Sequence, residues 1–378
     1  MDSKYSVALV GCGAVARKHL RALKYFPRRL ELVAVTDPNR DQARQVLNEY
    51  FSGKNIPLYN NLSDLLENIK PDILAITTPS GTHFELAKQG MSAGCNVILE
   101  KPMTLDLKEA RILLNLAEEE EVTLGMGHIY RYMPLLDLVQ HDIETGRFGK
   151  VFSGDVKVRW GHDQDYYDQS AWRGTWAQDG GALMNQTIHA VDLMCWLMDD
   201  EPIAVNGQIR QLAHNMEAED HGTALLSMST GSICMIEGTT NNAPHNQGAS
   251  FYLLAEDVEV SADLRSGKTH FDIIDRRGRS LKREYIHRLL KQLRQTGGFK
   301  AIKRLAQPHT QLYYDFINAL DHGTPPRADA ESGVQSVETV LAIYRSALED
   351  GRTIRLPMDD FALTDMTGFF DRRTPYIE

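Results

Sequence analysis

A lysine and a glutamate stand together directly after a short apolar run. Residues 97–99 are Val, Ile and Leu, and Glu100, Lys101 and Pro102 follow them. An apolar run of this length between turn residues is typical of a buried strand, and ligands of open α/β sheets bind beyond the carboxyl ends of the strands. A lysine there can donate a hydrogen bond to an oxygen atom that gains negative charge. The competing interpretation is a surface lysine in a strand-end salt bridge.

A second group of polar residues follows Gly180 and Gly181 in a largely apolar segment. Asn185, His189 and Asp192 occur at positions i, i+4 and i+7, which places them on one face of a helix. A polar stripe on a buried helix has to be hydrogen-bonded or used. Asp192 can hold one imidazole nitrogen of His189 and leave the other for a proton transfer. The alternative is a structural histidine with satisfied hydrogen bonds.

A third pattern, Gly11-x-Gly13-x-x-Ala16, follows a predicted strand and opens a predicted helix. The two glycines allow the backbone to approach a pyrophosphate, and the helix N-terminus offers free N–H groups to it. Asp37 ends the second predicted strand, where a carboxylate accepts from both ribose hydroxyls and repels a 2′-phosphate. The pattern therefore predicts a dinucleotide site that favours NAD over NADP. A turn with a structural aspartate is the alternative.

The loops after the next strands belong to the same predicted sheet edge. Thr78 ends a predicted strand, and His83 starts the following helix, where it either reaches the nicotinamide end of the cofactor or caps the helix. The predicted cofactor contacts are Gly11, Gly13, Ala14, Val15, Asp37, Thr78, His83, Glu100 and Lys101.

The order of predicted elements separates the chain into two parts. Strands and helices alternate up to about residue 125, which predicts a parallel sheet covered on both faces. Longer strands with few helices follow, and they predict a mostly antiparallel sheet. We therefore expect an α/β fold with a Rossmann domain over residues 1–125 and an α+β domain with a large open sheet over residues 126–378. The strands expected in the second domain span 151–160, 203–212, 223–228, 232–238 and 250–255, and its helices span 310–320 and 333–348.

Composition narrows the class of protein. The chain has 378 residues and a net charge of −10, which argues against nucleic acid as a partner. No apolar run approaches the length of a membrane helix, and the polar start of the chain leads us to expect no signal peptide. The four cysteines form no CxxC pair. We therefore expect no structural metal, reduced thiols and a cytoplasmic location.

One segment, residues 276–304, is strongly basic in this otherwise acidic chain. It is either a solvated helical excursion or a patch for phosphates or an acidic partner. Its cationic residues are Arg276, Arg277, Arg279, Lys282, Arg283, Arg288, Lys291, Arg294, Lys300, Lys303 and Arg304.

The three motifs together resemble the Gfo/Idh/MocA oxidoreductases, named for glucose-fructose oxidoreductase and inositol dehydrogenase. The resemblance extends to a family-like tail that ends in Leu356-Pro357. It implies an N-terminal Rossmann domain and an open C-terminal sheet that makes oligomer contacts, in a homodimer or homotetramer. It also implies NAD(P)-dependent hydride transfer to or from a secondary alcohol of a sugar, a nucleotide-linked sugar or a cyclitol. By motif, Lys101 is the catalytic lysine and His189 the acid/base residue.

The chain departs from the family pattern at Asn185, where an acidic residue is usual. An asparagine cannot take up a proton, but it can hydrogen-bond a substrate hydroxyl, so Asn185 remains in the predicted catalytic group. The predicted substrate contacts are Arg131, Trp172, Arg173, Asn185 and His189. Two other functions stay open at this point: an NAD-dependent glycosidase that oxidises its substrate transiently, and a non-catalytic dinucleotide-binding protein.

Overall fold

The computed structural model describes residues 4–265, 268–295 and 307–371. These residues form two compact units. The first contains the described parts of 1–104, 109–132 and 299–334, and the second contains those of 105–108, 133–298 and 335–378. The first unit therefore takes in a segment near the C-terminus as well as the N-terminal strands and helices.

The first unit is built on a six-stranded parallel sheet in the order β3-β2-β1-β4-β5-β6. The strand order reverses direction between β1 and β4, which is the switch point where ligands bind in such sheets. This is the predicted Rossmann topology. The strands are β1 (Tyr5–Val10), β2 (Leu30–Thr36), β3 (Leu58–Tyr59), β4 (Ile73–Ile76), β5 (Asn96–Leu99) and β6 (Leu124–Met126).

The second unit is built on an eight-stranded sheet in the order β13-β12-β11-β7-β10-β9-β8-β14. Neighbouring strands are antiparallel except for β7 and β10, which run parallel. The sheet is therefore mostly antiparallel, as predicted. Its strands are β7 (Val151–Trp160), β8 (Pro202–Arg210), β9 (His221–Met228), β10 (Ile233–Thr239), β11 (Gln247–Ala255), β12 (Val258–Arg265), β13 (Lys268–Asp275) and β14 (Ile354–Arg355).

The helices cover these sheets and carry several of the predicted site residues. One segment, Ala182–Thr187, is a π-helix that continues directly into an α-helix. The α-helices are α1 (Ala16–Tyr25), α2 (Arg40–Phe51), α3 (Leu62–Asn68), α4 (His83–Ser92), α5 (Leu107–Glu119), α6 (Leu136–Glu144), α7 (Gln164–Asp168), α8 (Ile188–Met198), α9 (Lys282–Gln295), α10 (Pro308–His322) and α11 (Ala330–Leu348). In the described ranges, no helix is both long enough and apolar enough to span a bilayer.

The sequence offers Ser63 as the residue that caps the start of α3, but the structure has Asn61 as the N-cap. The side chain of Asn61 accepts from the Asp64 N–H at 2.8 Å, and its extended backbone makes it the N-cap. Ser63 lies inside the helix, where its hydroxyl accepts from Gln89 Nε2 at 2.7 Å. Asparagine caps helices at least as well as serine, so both residues had suitable chemistry, and Asn61 holds the capping backbone conformation.

The basic segment is described up to residue 295, and its helical part is α9. Tyr285 is fully buried and lies against Asp142, which also accepts from Arg288 Nη2 at 2.8 Å. One side of α9 is thus anchored in the second unit while its other cations face outward. Lys300, Lys303 and Arg304 lie outside the described residues.

Candidate active site

The glycine-rich turn after β1 has the shape that a dinucleotide phosphate requires. Gly11 has φ +92°, and a Cβ there would lie 2.8 Å from Thr78 Cγ2 and 3.0 Å from the Thr77 carbonyl carbon. Only glycine fits this close approach. A Cβ at Gly13 would meet nothing within 4 Å, so the backbone there faces open space. The turn therefore fits a pyrophosphate that contacts the main chain directly.

The helix that follows offers its N-terminus to an anion. Among the described residues, no side chain caps α1 at Val15, and its first turn contains no acidic residue. Ala14 is exposed and Val15 half-buried. The first N–H groups of a helix lack partners inside the helix, and the dipole makes that end positive. An uncapped start beside an open glycine is the arrangement expected of a phosphate-binding turn.

Asp37 lies at the carboxyl end of β2, beside this turn. Its Oδ2 accepts from the Cys12 N–H at 2.6 Å, and its Oδ1 accepts from the Asn39 N–H at 2.7 Å. The carboxylate thus has a structural role, since it joins the ends of β1 and β2. Each oxygen carries a second lone pair that can accept from a ribose hydroxyl.

His83 joins two of the strand-end loops. It is 1% exposed, with Nδ1 at 2.7 Å from the Pro102 carbonyl and Nε2 at 3.0 Å from the Thr78 carbonyl. Burial lowers the pKa of His83, although both carbonyls oppose the shift. A neutral ring donates one hydrogen bond, and the shorter distance favours the Pro102 carbonyl. His83 therefore connects the loop of Thr78 to the segment that follows Lys101.

Glu100 is buried in a cluster with two histidines. Its Oε1 lies 2.9 Å from His19 Nε2 and 3.5 Å from His309 Nε2, and His19 Nδ1 lies 3.1 Å from the Tyr313 hydroxyl. Burial opposes the charged form, but the hydrogen bonds from His19 and His309 outweigh it and hold the pKa of Glu100 well below its ordinary range. Burial lowers the pKa of His309. Both imidazoles thus lie within hydrogen-bond reach of a buried carboxylate.

The same three side chains have the composition of a metal site. Their ligand-type atoms all lie within 4.8 Å of one another. The 2.9 Å separation of His19 Nε2 from Glu100 Oε1 is that of a hydrogen bond. We therefore read the cluster as a hydrogen-bonded support for the end of β5, which carries Lys101.

Lys101 and Arg131 occupy different positions in the first unit. Lys101 follows β5 at the switch-point edge of the sheet and is half-buried. Arg131 lies in a short 3₁₀ segment, is 6% exposed and donates from Nη1 to the Arg327 carbonyl at 2.8 Å. Arg327 donates back to the Arg131 carbonyl at 3.1 Å. This exchange ties Arg131 to the segment before α11.

The polar stripe of the second unit begins in the π-helix. Asn185 lies in the π-helical turn and His189 in the first turn of α8, both half-buried, while Asp192 is 2% exposed. The regular helix expected from the i, i+4, i+7 spacing is thus interrupted at its start. π-Helical turns occur frequently at functional sites because they redirect side chains locally.

Glu219 caps this π-helix from a neighbouring strand end. The Glu219 carbonyl accepts from the Ala182 N–H at 3.0 Å, its Oε1 accepts from the Leu183 N–H at 2.8 Å, and Tyr344 donates to Oε1 at 2.8 Å. A Cβ on Gly181 would lie 2.0 Å from the Glu219 carbonyl oxygen, so glycine is required there. Burial raises the pKa of Glu219 to about 8.

The predicted substrate residues Trp172 and Arg173 belong to an aromatic stack. The Arg173 guanidinium lies 4.1 Å from the centre of the Tyr166 ring and 5.5 Å from that of Trp172. His162 stacks on Tyr166 with ring centres 3.6 Å apart. His162 and the Arg173 guanidinium thus both lie against the ring of Tyr166. Burial, followed by the charges of Arg173 and His214, lowers the pKa of His162 to about 4.

Each unit therefore brings together part of the predicted set. In the first unit, Gly11, Asp37, Thr78 and Lys101 follow strands that end at one sheet edge. In the second, Asn185 and His189 lie on consecutive turns. Sequence reasoning missed the residues that support them: His19, His309, Asp179, Glu219 and Tyr344. The available signals were His19 on the apolar side of a predicted helix and Asp179 directly before the two glycines.

Comparison with known proteins agrees with this architecture. Residues 5–128 match the family model described as "Oxidoreductase family, NAD-binding Rossmann fold", and residues 137–265 match the GFO/IDH/MocA C-terminal domain. The WlbA dehydrogenase from Bordetella pertussis, whose structure was solved with NADH and UDP-GlcNAcA, is similar with 32% identity and a TM-score of 0.83. That comparison covers 95% of this chain and 99% of WlbA.

Two curated relatives match over shorter lengths. The rhizopine catabolism protein MocA of Rhizobium meliloti is 30% identical over 53% of this chain and 59% of its own length. UDP-N-acetylglucosamine 3-dehydrogenase of Acidithiobacillus ferrooxidans is 28% identical over 60% of this chain and 64% of its own length. The chain thus spans less than two thirds of each of these two relatives.

The two family models together cover more than half of the chain. The first model spans the strands of the parallel sheet, and the second spans most strands of the mostly antiparallel sheet. The chain belongs to the Gfo/Idh/MocA oxidoreductase family, and its residues 5–128 match the NAD-binding Rossmann domain of that family.

Proposed function

We propose that this protein is an NAD-dependent dehydrogenase that oxidises a secondary alcohol of a nucleotide-linked sugar. The observation that carries the proposal is the similarity to WlbA over 95% of the chain, because WlbA was crystallised with NADH and a UDP-linked sugar acid. The open glycine turn and the uncapped start of α1 support the cofactor assignment. Residues 1–125 form the proposed cofactor domain, and residues 126–378 the proposed substrate and oligomerisation domain.

The proposed cofactor contacts come from the four strand ends of the first unit. Gly11, Gly13, Ala14 and Val15 contact the pyrophosphate, and Asp37 accepts from the ribose. Further contacts are proposed for Thr78, His83, Glu100 and Lys101. For His83 and Glu100 the contact is through the loops that they hold, since their polar atoms have the partners described above.

The proposed chemistry uses one proton acceptor and one oxygen-binding cation. NAD, when bound, supplies the acceptor for the hydride. His189 is proposed to take the proton of the substrate hydroxyl, and Lys101 to donate a hydrogen bond to a substrate oxygen that gains negative charge. Asn185 binds a neighbouring substrate hydroxyl. Arg131, Trp172 and Arg173 are proposed to contact the remainder of the substrate.

The first test measures turnover of UDP-GlcNAcA with NAD by absorbance at 340 nm. We expect Lys101→Met and His189→Ala each to lower kcat by about 10²–10⁴-fold, because each removes a group that acts on the reacting oxygen. Lys108→Met and His270→Ala, at exposed positions, serve as matched controls and retain activity. Full turnover by either site variant contradicts the assigned chemistry, as does release of UDP without NADH.

The second test concerns the choice of cofactor. Asp37→Ser removes the carboxylate that repels a 2′-phosphate, so we expect the NAD/NADP ratio of kcat/KM to fall by about tenfold or more. Asp41→Ser, on the exposed first turn of α2, is the control. An unchanged ratio in Asp37→Ser would remove this residue from the ribose site.

We also propose that the protein is a cytoplasmic homodimer or homotetramer. Met235 and Leu225 lie opposite each other on β10 and β9, and they are 47% and 44% exposed. Ile233, two residues from Met235 on the same strand, is 44% exposed. An apolar sheet face of this kind is suited to a second copy of the chain. The four cysteines are unpaired and buried, which fits a reducing compartment.

A further inference from the structure

Asp179 is a buried carboxylate beside the position where the family pattern has an acid. It is 2% exposed, and both of its oxygens accept hydrogen bonds. The Gly174 N–H donates to Oδ2 at 3.0 Å, and Asn185 Nδ2 donates to Oδ1. An acidic group therefore contacts residue 185 from six residues earlier in the chain.

The turn that carries Asp179 is held firmly by the backbone. The N–H groups of Asp179 and Gly180 both donate to the Thr175 carbonyl, at 3.2 and 2.8 Å. Gly180 has φ +76°, and a Cβ there would lie 2.7 Å from Met184 Cβ, so a side chain is excluded. The carboxylate is thus placed by the fold and cannot easily move away from Asn185.

This contact determines the orientation of the Asn185 side-chain amide. A carboxylate only accepts hydrogen bonds, so the amide nitrogen of Asn185 has to point towards Asp179 and the carbonyl oxygen has to point away from it. We infer that Asp179 is a positioning residue: it orients the amide of Asn185 so that position 185 offers an acceptor to a hydroxyl of the sugar. The inference rests on the proposed function, which assigns Asn185 to the substrate.

The pair also gives a reason for the asparagine in this chain. An aspartate at position 185 would bring two carboxylates into hydrogen-bond contact, and one of them would have to remain protonated or move. Asn185 and Asp179 avoid this cost while they keep one negative charge next to the segment of His189. The two residue types are therefore expected to depend on each other.

The test is a double-mutant cycle of Asp179→Asn, Asn185→Asp and the two combined. Asp179→Asn removes the carboxylate that accepts from the Asn185 amide, so Asn185 can turn its NH2 group towards the substrate. Asn185→Asp places two carboxylates in contact with each other. We expect each single variant to raise KM for UDP-GlcNAcA about tenfold with KM for NAD unchanged. In the combined variant, the amide introduced at position 179 donates to the carboxylate introduced at position 185, and KM returns to within about threefold of wild type.

Asp199→Asn is the matched control, since Asp199 is exposed at the end of α8 with φ +50°, a conformation that asparagine adopts readily. The inference would be overturned if the two single variants and the combined variant had the same KM for UDP-GlcNAcA. Recovery of the melting temperature without recovery of KM would also overturn it, because the pair would then be structural alone. If wild-type protein does not oxidise UDP-GlcNAcA, the recognition role fails with the proposed function, and the melting temperatures still decide the contact.

Discussion

Two buried glutamates, one in each unit, have pKa values that are shifted in opposite directions. Glu100 in the first unit has a pKa held well below its ordinary range, whereas burial raises the pKa of Glu219 in the second to about 8. Both lie next to residues of the candidate site: Glu100 precedes Lys101, and Glu219 caps the π-helix of Asn185. Burial is thus common to both, and the partners decide the charge.

The difference lies in what each carboxyl group faces. Two imidazole groups, His19 and His309, lie against Glu100 Oε1. Glu219 receives one backbone N–H and the Tyr344 hydroxyl on Oε1, while its Oε2 has no hydrogen-bond partner within the described ranges. A carboxyl group that receives too few hydrogen bonds to offset desolvation keeps its proton. A buried glutamate can therefore support the candidate site in this fold either as a carboxylate or as a neutral carboxyl group.

The largest expected effect on stability comes from removing the Glu100 carboxylate. Glu100→Ala leaves two buried imidazoles without their acceptor, and we expect the free energy of unfolding to fall by about 3–5 kcal/mol. Urea unfolding of the purified protein measures the change. The deficit should shrink below about pH 4.5, because a depressed folded pKa stabilises only above the unfolded pKa and is lost as the pH falls.

Glu31→Ala is the control for this variant. Glu31 forms an exposed ion pair with Lys4 at 2.6 Å, and its removal should change the free energy of unfolding far less than the removal of Glu100, because solvent screens an exposed pair. A loss of similar size in both variants would show that the histidine cluster contributes nothing special to stability.

Glu219→Gln is expected to act in the opposite direction. The amide reproduces the neutral carboxyl and does not titrate. The raised pKa of about 8 means that the folded protein holds a proton that the unfolded chain releases, so wild-type stability falls from about pH 4.5 to 8. We expect nearly equal stabilities of the variant and wild type at pH 5 and below, and a gain of about 4 kcal/mol for the variant at pH 8.

This pH dependence distinguishes a neutral Glu219 from a charged one. Thermal unfolding of both proteins across pH 5–9 measures it, and Glu217→Gln, two residues earlier, is the comparison variant. A variant that is less stable than wild type at every pH would mean that Glu219 is ionised in the folded protein.

The smallest expected effect comes from removing the Tyr344 hydroxyl, which donates a hydrogen bond to Glu219. Tyr344→Phe removes a donor to Oε1 and an acceptor for the Met184 N–H at 3.2 Å. We expect a loss of about 1 kcal/mol and a further rise of the Glu219 pKa, since that hydrogen bond favours the charged form. Differential scanning calorimetry at pH 6 and pH 8 measures both. Tyr50→Phe, whose hydroxyl lies at the surface 3.4 Å from Arg21, should leave the melting temperature unchanged.

Much of the first unit was predictable because its signals are local. The strands that end at Val10, Thr36 and Leu99 are short apolar runs, each followed by a residue that ends a strand or turns the chain. In a parallel sheet such ends share one edge, so Gly11, Asp37 and Lys101 could be assigned to one edge from spacing alone. Strands β12 and β13 escaped prediction, because their polar and charged residues dilute the alternation.

The second unit was less predictable because strand neighbours are chosen by tertiary packing. The strand boundaries of β7 were predicted correctly, but its parallel pairing with β10 could not be, since hairpin rules describe only consecutive strands. The π-helical turn at Ala182–Thr187 depends on capping by Glu219 and Tyr344, which are distant in the chain. No local pattern marks either residue as a cap.

The sequence by itself determined the residue types that can do chemistry and the strand or helix end on which each stands. Short-range sterics and apolar periodicity are sufficient for that, so the motifs at 11–16, 100–102 and 185–192 could be recognised from the sequence. Only the tertiary structure decided which buried acid is charged. That state depends on groups such as His309 and Tyr344, which reach the carboxyl groups from segments more than a hundred residues away, and electrostatic interactions in a dry interior act over ångströms of space and are indifferent to distance along the chain.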